Sequence, residues 1–135
     1  MLDRAVMPIS ERLLGHPARA LFRRGVTANQ VTFAGFAIGL SAVPALAFDQ
    51  YFVALVLILV NRLADGLDGA IARIAGPTSR GAYFDIALDF FFYSSIPFGF
   101  ALANPGSNAL PAAFVLLSFV GTGSSFLAFA TIAAK

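Results

Sequence analysis

The chain contains no cysteine, which excludes thiol catalysis and leaves its redox compartment unspecified. Histidine is nearly absent as well: His16 is the single one, and alone it cannot build a His-rich metal site or a Ser–His dyad. Next to Pro17, it reads as a surface residue. Charge is scarce, at 12% of residues, where a soluble domain carries about 25%. A net charge of +2 is too small to argue for a nucleic-acid partner. The first 24 residues also lack the continuous apolar core of a signal peptide, because Asp3, Glu11 and five arginines interrupt them.

What remains is apolar. Hydrophobic residues make up 59% of the 135, fifteen of them Phe, and this composition points to a membrane protein. Gly25 to Phe48 carries no charge, and neither does Phe90 to Ala134. A crossing helix takes about 20 residues, so the second window holds two crossings, divided at Asn104-Pro105-Gly106-Ser107. The expected fold is an all-α integral membrane protein, a single domain over residues 1–135. It is an antiparallel bundle with spans near 28–48, 51–74, 80–103 and 108–133. Residues 1–24 form an amphipathic interfacial segment, in which Leu13, Leu14, Leu21 and Phe22 alternate with Arg12, Arg19, Arg23 and Arg24. Pro8 and Pro17 are expected to break this segment into short pieces. No soluble domain, long linker, low-complexity stretch or internal repeat is visible.

Basic residues fix the expected orientation. Arg4, Arg12, Arg19, Arg23 and Arg24 precede the first span, Arg73 and Arg80 flank the connection between the second and third, and Lys135 follows the fourth. With four crossings all of these lie on one side, while the opposite connections carry no Lys or Arg. The N-terminus and the polar cluster are therefore expected on the cytoplasmic face of a multi-pass protein, in a bacterial inner membrane.

Against this apolar background stand Asp65, Asp68, Asp85 and Asp89. A carboxylate at membrane depth costs at least a few kcal/mol, so it marks function. Spacings of three and four put each pair on one helix face, and the short Gly76-Pro77 connection makes the two helices antiparallel. Carboxylates this close repel unless cations lie between them. An all-oxygen set suits two Mg²⁺ or Mn²⁺ ions, whereas Zn²⁺ would usually recruit His or Cys. Gly66, Gly69, Ala70 and Ala72 leave space on the second helix, and Gly81 and Ala82 on the third. Gly35-x3-Gly39 reads as a close-packing site. Arg73, beyond Gly69, is placed to clamp a phosphate. Arg62, three residues before Asp65, either neutralises the cluster or binds an anionic second substrate.

The run from Asp65 to Asp89 resembles the signature of the CDP-alcohol phosphatidyltransferase family. Asp65-x2-Asp68-Gly69-x2-Ala72-Arg73 matches its first half and Gly81-x3-Asp85-x3-Asp89 its second. Seven residues separate Arg73 from Gly81, one fewer than the family's usual minimum, which leaves Thr78 and Ser79 as alternatives for one nucleotide contact. Thr27-Ala28-Asn29-x2-Thr32-x2-Gly35 is similar to the family's entry into the first span, with Ala28 in place of its usual Pro. The resemblance implies transfer of a phosphoalcohol group from a CDP-linked lipid donor, such as CDP-diacylglycerol, to an acceptor hydroxyl, with release of CMP. It implies that Asp65, Asp68, Asp85 and Asp89 hold the metals, with Asp89 also the general base. Ala28, Asn29, Thr32, Gly69, Ala72, Arg73, Thr78 and Gly81 would surround the CDP moiety. It further implies a homodimer in contact with membrane lipid, and about two more helices beyond Lys135.

Two rival readings are a divalent-cation transporter or channel, with facing acids along a path, and an inactive family fragment serving as a membrane partner. The Gly and Arg spacings argue against the first, and retention of all four aspartates against the second. The expected topology is tested with Ser79→Cys and Ser107→Cys, since the chain has no cysteine of its own. An impermeant thiol reagent on intact cells should label position 107 and not position 79; the reverse pattern inverts the orientation.

Overall fold

The computed structural model describes residues 14–133, which are helical apart from short connections. Helix α1 covers residues 14–23. It is followed by α2 (Ala28–Leu40), α3 (Ala42–Ala47), α4 (Tyr51–Ala75), α5 (Ser79–Ala103) and α6 (Pro105–Ala133). Among the described residues there is no strand.

Local chemistry sets the boundaries. Thr27 starts α2 through a capping box: its hydroxyl accepts from the Gln30 amide at 3.3 Å, and the Gln30 side chain accepts from the Thr27 amide at 2.9 Å. Helices α2 and α3 part only at Ser41, whose backbone is still right-handed helical, and together they make one apolar segment, Ala28–Ala47. Pro44 falls in the first turn of α3, where amide protons lack intrahelical partners in any case. Gly76 ends α4 at φ +92°, a conformation that disfavours side-chain-bearing residues, and Pro77 prevents further helix. The Thr78 hydroxyl then caps α5 by accepting from the Gly81 amide at 3.0 Å.

Two expected boundaries differ. The break between the last two helices is Asn104 alone. Pro105 opens α6, because a first-turn proline gives up no hydrogen bond, and the Asn104 side chain accepts from the Ser107 amide at 3.2 Å. Nor does Pro17 break α1, which runs helical through it. Pro17 lies in the first turn of the described helix, where proline is tolerated, and Ala18 beside it is fully buried against Ala70 and Ile71 of α4, with Leu14 and Leu21 packed on them. The apolar stripe of α1 thus lies on the bundle, while Phe22, Arg19, Arg23 and Arg24 are exposed. Pro8, Leu13, Arg4 and Arg12 lie outside the described residues.

Helix α2, extended by α3, is the spine. Helices α4 and α5 both pack against it, and α6 packs on α5. Helices α4 and α5 do not pack closely on each other, which leaves a gap between their facing acids. The approach of α2 to α4 is close: a Cβ on Gly35 would stand 2.6 Å from that of Ala64, and one on Gly39 2.8 Å from Asn61 and Phe92. Three segments, Ala28–Ala47, α5 and α6, are long and apolar enough to cross a membrane. Helix α4 has 25 residues, roughly 37 Å, but carries Arg62, Asp65, Asp68 and Arg73. Large apolar side chains such as Phe114, Leu117, Leu127 and Phe129 face outward, as expected of a multi-pass protein whose solvent there is lipid.

The glycine contact gives a stability prediction. Gly35→Val should separate α2 from α4 and cost about 1–3 kcal/mol. Gly121→Ala, where an added Cβ meets nothing within 4 Å, should leave stability unchanged or raised. Thermal unfolding midpoints in detergent distinguish the two.

Candidate active site

Helix α4 offers Asp65 and Asp68 one turn apart, and α5 offers Asp85 across the gap. One carboxylate oxygen from each of the three can be chosen so that all lie within 4.8 Å of one another. Asp68 is 4% exposed and accepts a hydrogen bond from the Thr32 hydroxyl at 2.5 Å. That hydroxyl is also 3.1 Å from the Ala28 carbonyl, so its single proton has two acceptors within reach. Among the described residues no basic side chain pairs with Asp68 or Asp85. Burying an uncompensated carboxylate is costly, and three together repel. A hard divalent cation removes both penalties, and the all-oxygen donor set fits one.

Asp89 is engaged differently. Its Oδ1 accepts from Nη2 of Arg62 at 2.8 Å, and the carboxylate lines a small gap together with Asp65, Asp68 and Asp85. Arg62 is held by several partners. Its Nε and Nη2 donate to Oδ1 of Asn61 at 2.9 and 2.5 Å, and Nη1 donates to the Tyr93 hydroxyl at 2.6 Å. The rings of Phe92 and Tyr93 lie 4.6 and 4.8 Å from the guanidinium carbon. Asn61 is itself buried and donates to the Gly35 carbonyl at 3.0 Å. Of the two roles left open for Arg62, the geometry favours charge balance: its donors point at protein acceptors rather than into open space.

Beside the acids lies a cleft of about 380 Å³. Ala28, Asn29 and Thr32 of α2 line it, with Asp68, Gly69, Ala72 and Arg73 of α4, and Thr78, Gly81 and Asp85 across the 76–78 connection. All eight residues expected around a nucleotide therefore share one wall-to-wall space. Of the alternatives Thr78 and Ser79, Thr78 lines it. Gly69 keeps its wall open, since an added Cβ would meet only the Arg73 guanidinium, at 3.6 Å. Gly81 is tighter: a Cβ there would lie 3.0 Å from the Thr78 hydroxyl and 3.3 Å from Asn29. Gly66 and Ala70 do not provide ligand space. Leu14 of α1 fills the position above Gly66, and Ala70 belongs to the core with Ala18.

Sequence reasoning passed over Asn61, Phe92 and Tyr93. Asn61 did leave a signal, a lone amide adjoining an arginine inside an apolar run. Tyr93, one turn beyond Asp89 among phenylalanines, left little.

A family model described as CDP-alcohol phosphatidyltransferase matches residues 25–135. Over 135 residues the chain is 53% identical to "Inner membrane protein YnjF" of Escherichia coli K12, covering 100% of this chain and 66% of that protein. It is 34% identical over 100 residues to the "Archaetidylinositol phosphate synthase" of Pyrococcus horikoshii, covering 73% of this chain and 53% of that one. With the "Phosphatidylinositol phosphate synthase" of Streptomyces avermitilis it shares 36% identity over 114 residues, 80% of this chain and 46% of that one. The chain thus spans between about half and two-thirds of the length of these relatives. No solved structure matches.

The link from Thr32 to Asp68 gives a prediction independent of turnover. Removing the partner that orients a metal-binding carboxylate usually costs about 10–100-fold in metal affinity. Thr32→Val should therefore weaken Mn²⁺ binding to the purified protein by about tenfold, read by electron paramagnetic resonance of the free ion. Unchanged binding would remove Thr32 as the partner that orients Asp68 for a cation.

Proposed function

The chain belongs to the CDP-alcohol phosphatidyltransferase family, and we propose that the protein it represents transfers a phosphatidyl group from CDP-diacylglycerol to an acceptor hydroxyl, releasing CMP. The observation that carries this reading is the convergence of Asp65, Asp68 and Asp85 from two helices beside a cleft of nucleotide dimensions. Two Mg²⁺ or Mn²⁺ ions held by these acids, with Asp89 adjoining, would neutralise the diphosphate and the departing CMP phosphate.

The chain's own residues supply the rest. Arg73, which lines the cleft, offers a planar fork to a diphosphate oxygen. Ala28, Asn29 and Thr32 border the nucleotide on one side, and Thr78 and Gly81 on the other. The glycines at 69 and 81 keep the walls close to the backbone, where a flat ligand can lie against them. Asp89 accepts the proton of the acceptor hydroxyl. The acceptor oxygen then forms its bond to the phosphorus that bears the lipid alcohol, while the anhydride bond to CMP breaks. Helix α4 is read as the fourth crossing. The 76–78 connection then lies on the cytoplasmic side with the basic residues Arg73 and Arg80, convenient for a soluble nucleotide product. A homodimer, as the family resemblance implies, belongs to this reading. The acid arrangement does not favour the transport alternative, because Asp65, Asp68 and Asp85 converge on one point instead of spacing along a path.

The test is CMP release from CDP-diacylglycerol against a panel of hydroxyl acceptors, with Mg²⁺ or Mn²⁺ present and with excess chelator. Release should require the metal; undiminished release in chelator, with metal content verified as nil, removes the two-ion reading. Asp89→Asn keeps size and one oxygen but removes the base. It should severely reduce turnover while donor binding stays within about tenfold, or 1.4 kcal/mol. Turnover equal to wild type removes Asp89 as the base.

A further inference from the structure

We infer that Arg62 is a positioning residue for Asp89: clamped by Asn61 and Tyr93, it holds one carboxylate oxygen so that the other is presented to the acceptor hydroxyl. This rests on the assignment of Asp89 as the base under the proposed function.

The argument starts from the donor inventory of arginine, five N–H groups in a rigid plane. Three are spent on Asn61 and Tyr93, at 2.5 to 2.9 Å. One reaches Asp89 at 2.8 Å, and the nearest further acid, Asp65, is 3.8 Å away, outside hydrogen-bond range. Among the four acids Arg62 is therefore hydrogen-bonded to Asp89 alone, with Asp65 at ion-pair distance. The pairing is monodentate, through Oδ1, so Arg62 does not occupy the second carboxylate oxygen.

The second part of the argument is how Arg62 is itself fixed. Asn61 accepts from it and donates to the Gly35 carbonyl, so the guanidinium is referenced to the backbone of α2. Phe92 and Tyr93 bracket the cation from α5. An arginine that merely balanced charge would need none of this; a long cation free to move would serve as well. A network joining three helices and ending on one oxygen specifies direction. Direction matters because a displacement of about 1 Å in a reacting group costs on the order of 10²-fold in rate.

The test compares steady-state kinetics of the wild type, Arg62→Met, Arg62→Lys, Asp89→Asn and the double variant Arg62→Met/Asp89→Asn, in membranes containing CDP-diacylglycerol. Arg62→Met should lower kcat by about 10²-fold, with the KM for donor and acceptor little changed. Arg62→Lys, which restores charge without the fork, should recover only a small part. The double variant should be no slower than Asp89→Asn alone, because both changes remove the same function. A raised acceptor KM at unchanged kcat overturns the inference, since Arg62 would then bind substrate. Multiplying effects in the double variant also overturn it. If Arg62→Met fails to bind Mn²⁺, the decision passes to Tyr93→Phe, which removes one hydroxyl: a lower kcat at constant KM supports the inference, and wild-type kinetics sink it. Asp89→Asn with wild-type turnover marks failure of the underlying base assignment. A normal Asp89→Asn defect with a fast Arg62→Met marks failure of the positioning role alone.

Discussion

Everything in the bundle depends on how closely bare backbone on α2 can be approached. At Gly35 and Gly39 there is no side chain to hold α4 away, and Ala64, Asn61 and Phe92 come to within what would be a Cβ clash. Both acid-bearing helices are set against this one spine. The distance between their carboxylates is therefore set largely by backbone approaches to α2, to which the Thr32–Asp68 and Arg62–Asp89 bonds are added. Without such a spine, mutual repulsion would drive α4 and α5 apart. With it, they stand far enough apart to admit ions and near enough to share them.

The polar network follows from the same contact. The close approach of α4 at Gly35 brings Asn61 onto the Gly35 carbonyl. That hydrogen bond orients Asn61, Asn61 orients Arg62, and Arg62 meets Asp89. In a medium without water each of these groups needs a partner, and among the described residues no buried side-chain polar atom lacks one. Thr32 plays the corresponding part for Asp68, from one turn earlier on α2.

Much of this was legible in the chain itself. The charge-free windows and the Gly76-Pro77 break are strong one-dimensional signals, and the observed helices begin and end close to the expected spans. The acids were legible because a carboxylate among phenylalanines has no bland explanation. Less legible were features decided by three-dimensional neighbours. The turn that holds Pro17 is seated on α4 through Ala18, a contact no local pattern announces. Gly66 and Gly69 are three residues apart on one helix, yet one seats Leu14 and the other lines the cleft. Tyr93 reads as one aromatic among many until its hydroxyl is found on Arg62. The start of α6 was missed for a local reason: Asn-Pro-Gly-Ser has the composition of a turn, but proline at the first helical position and an asparagine cap before it build a helix just as well.

The mixed character of α4 has a consequence for biogenesis. Its first half, Tyr51 to Val60, is apolar, but Arg62, Asp65 and Asp68 follow within the same helix. On insertion scales an Asp or Arg at the centre of a span costs about 2.5–3.5 kcal/mol, while each Leu, Ile or Val returns only about 0.3–0.6. If α4 crosses, as proposed, it is a poor candidate for entering the bilayer alone. Its acids and arginine become tolerable only once α2 and α5 supply Thr32, Gly35 and Tyr93 as partners. The translocation machinery would then have to retain α4 until α5 emerges, so that the helix carrying half of the acids is the one whose membrane integration is coupled to its neighbours.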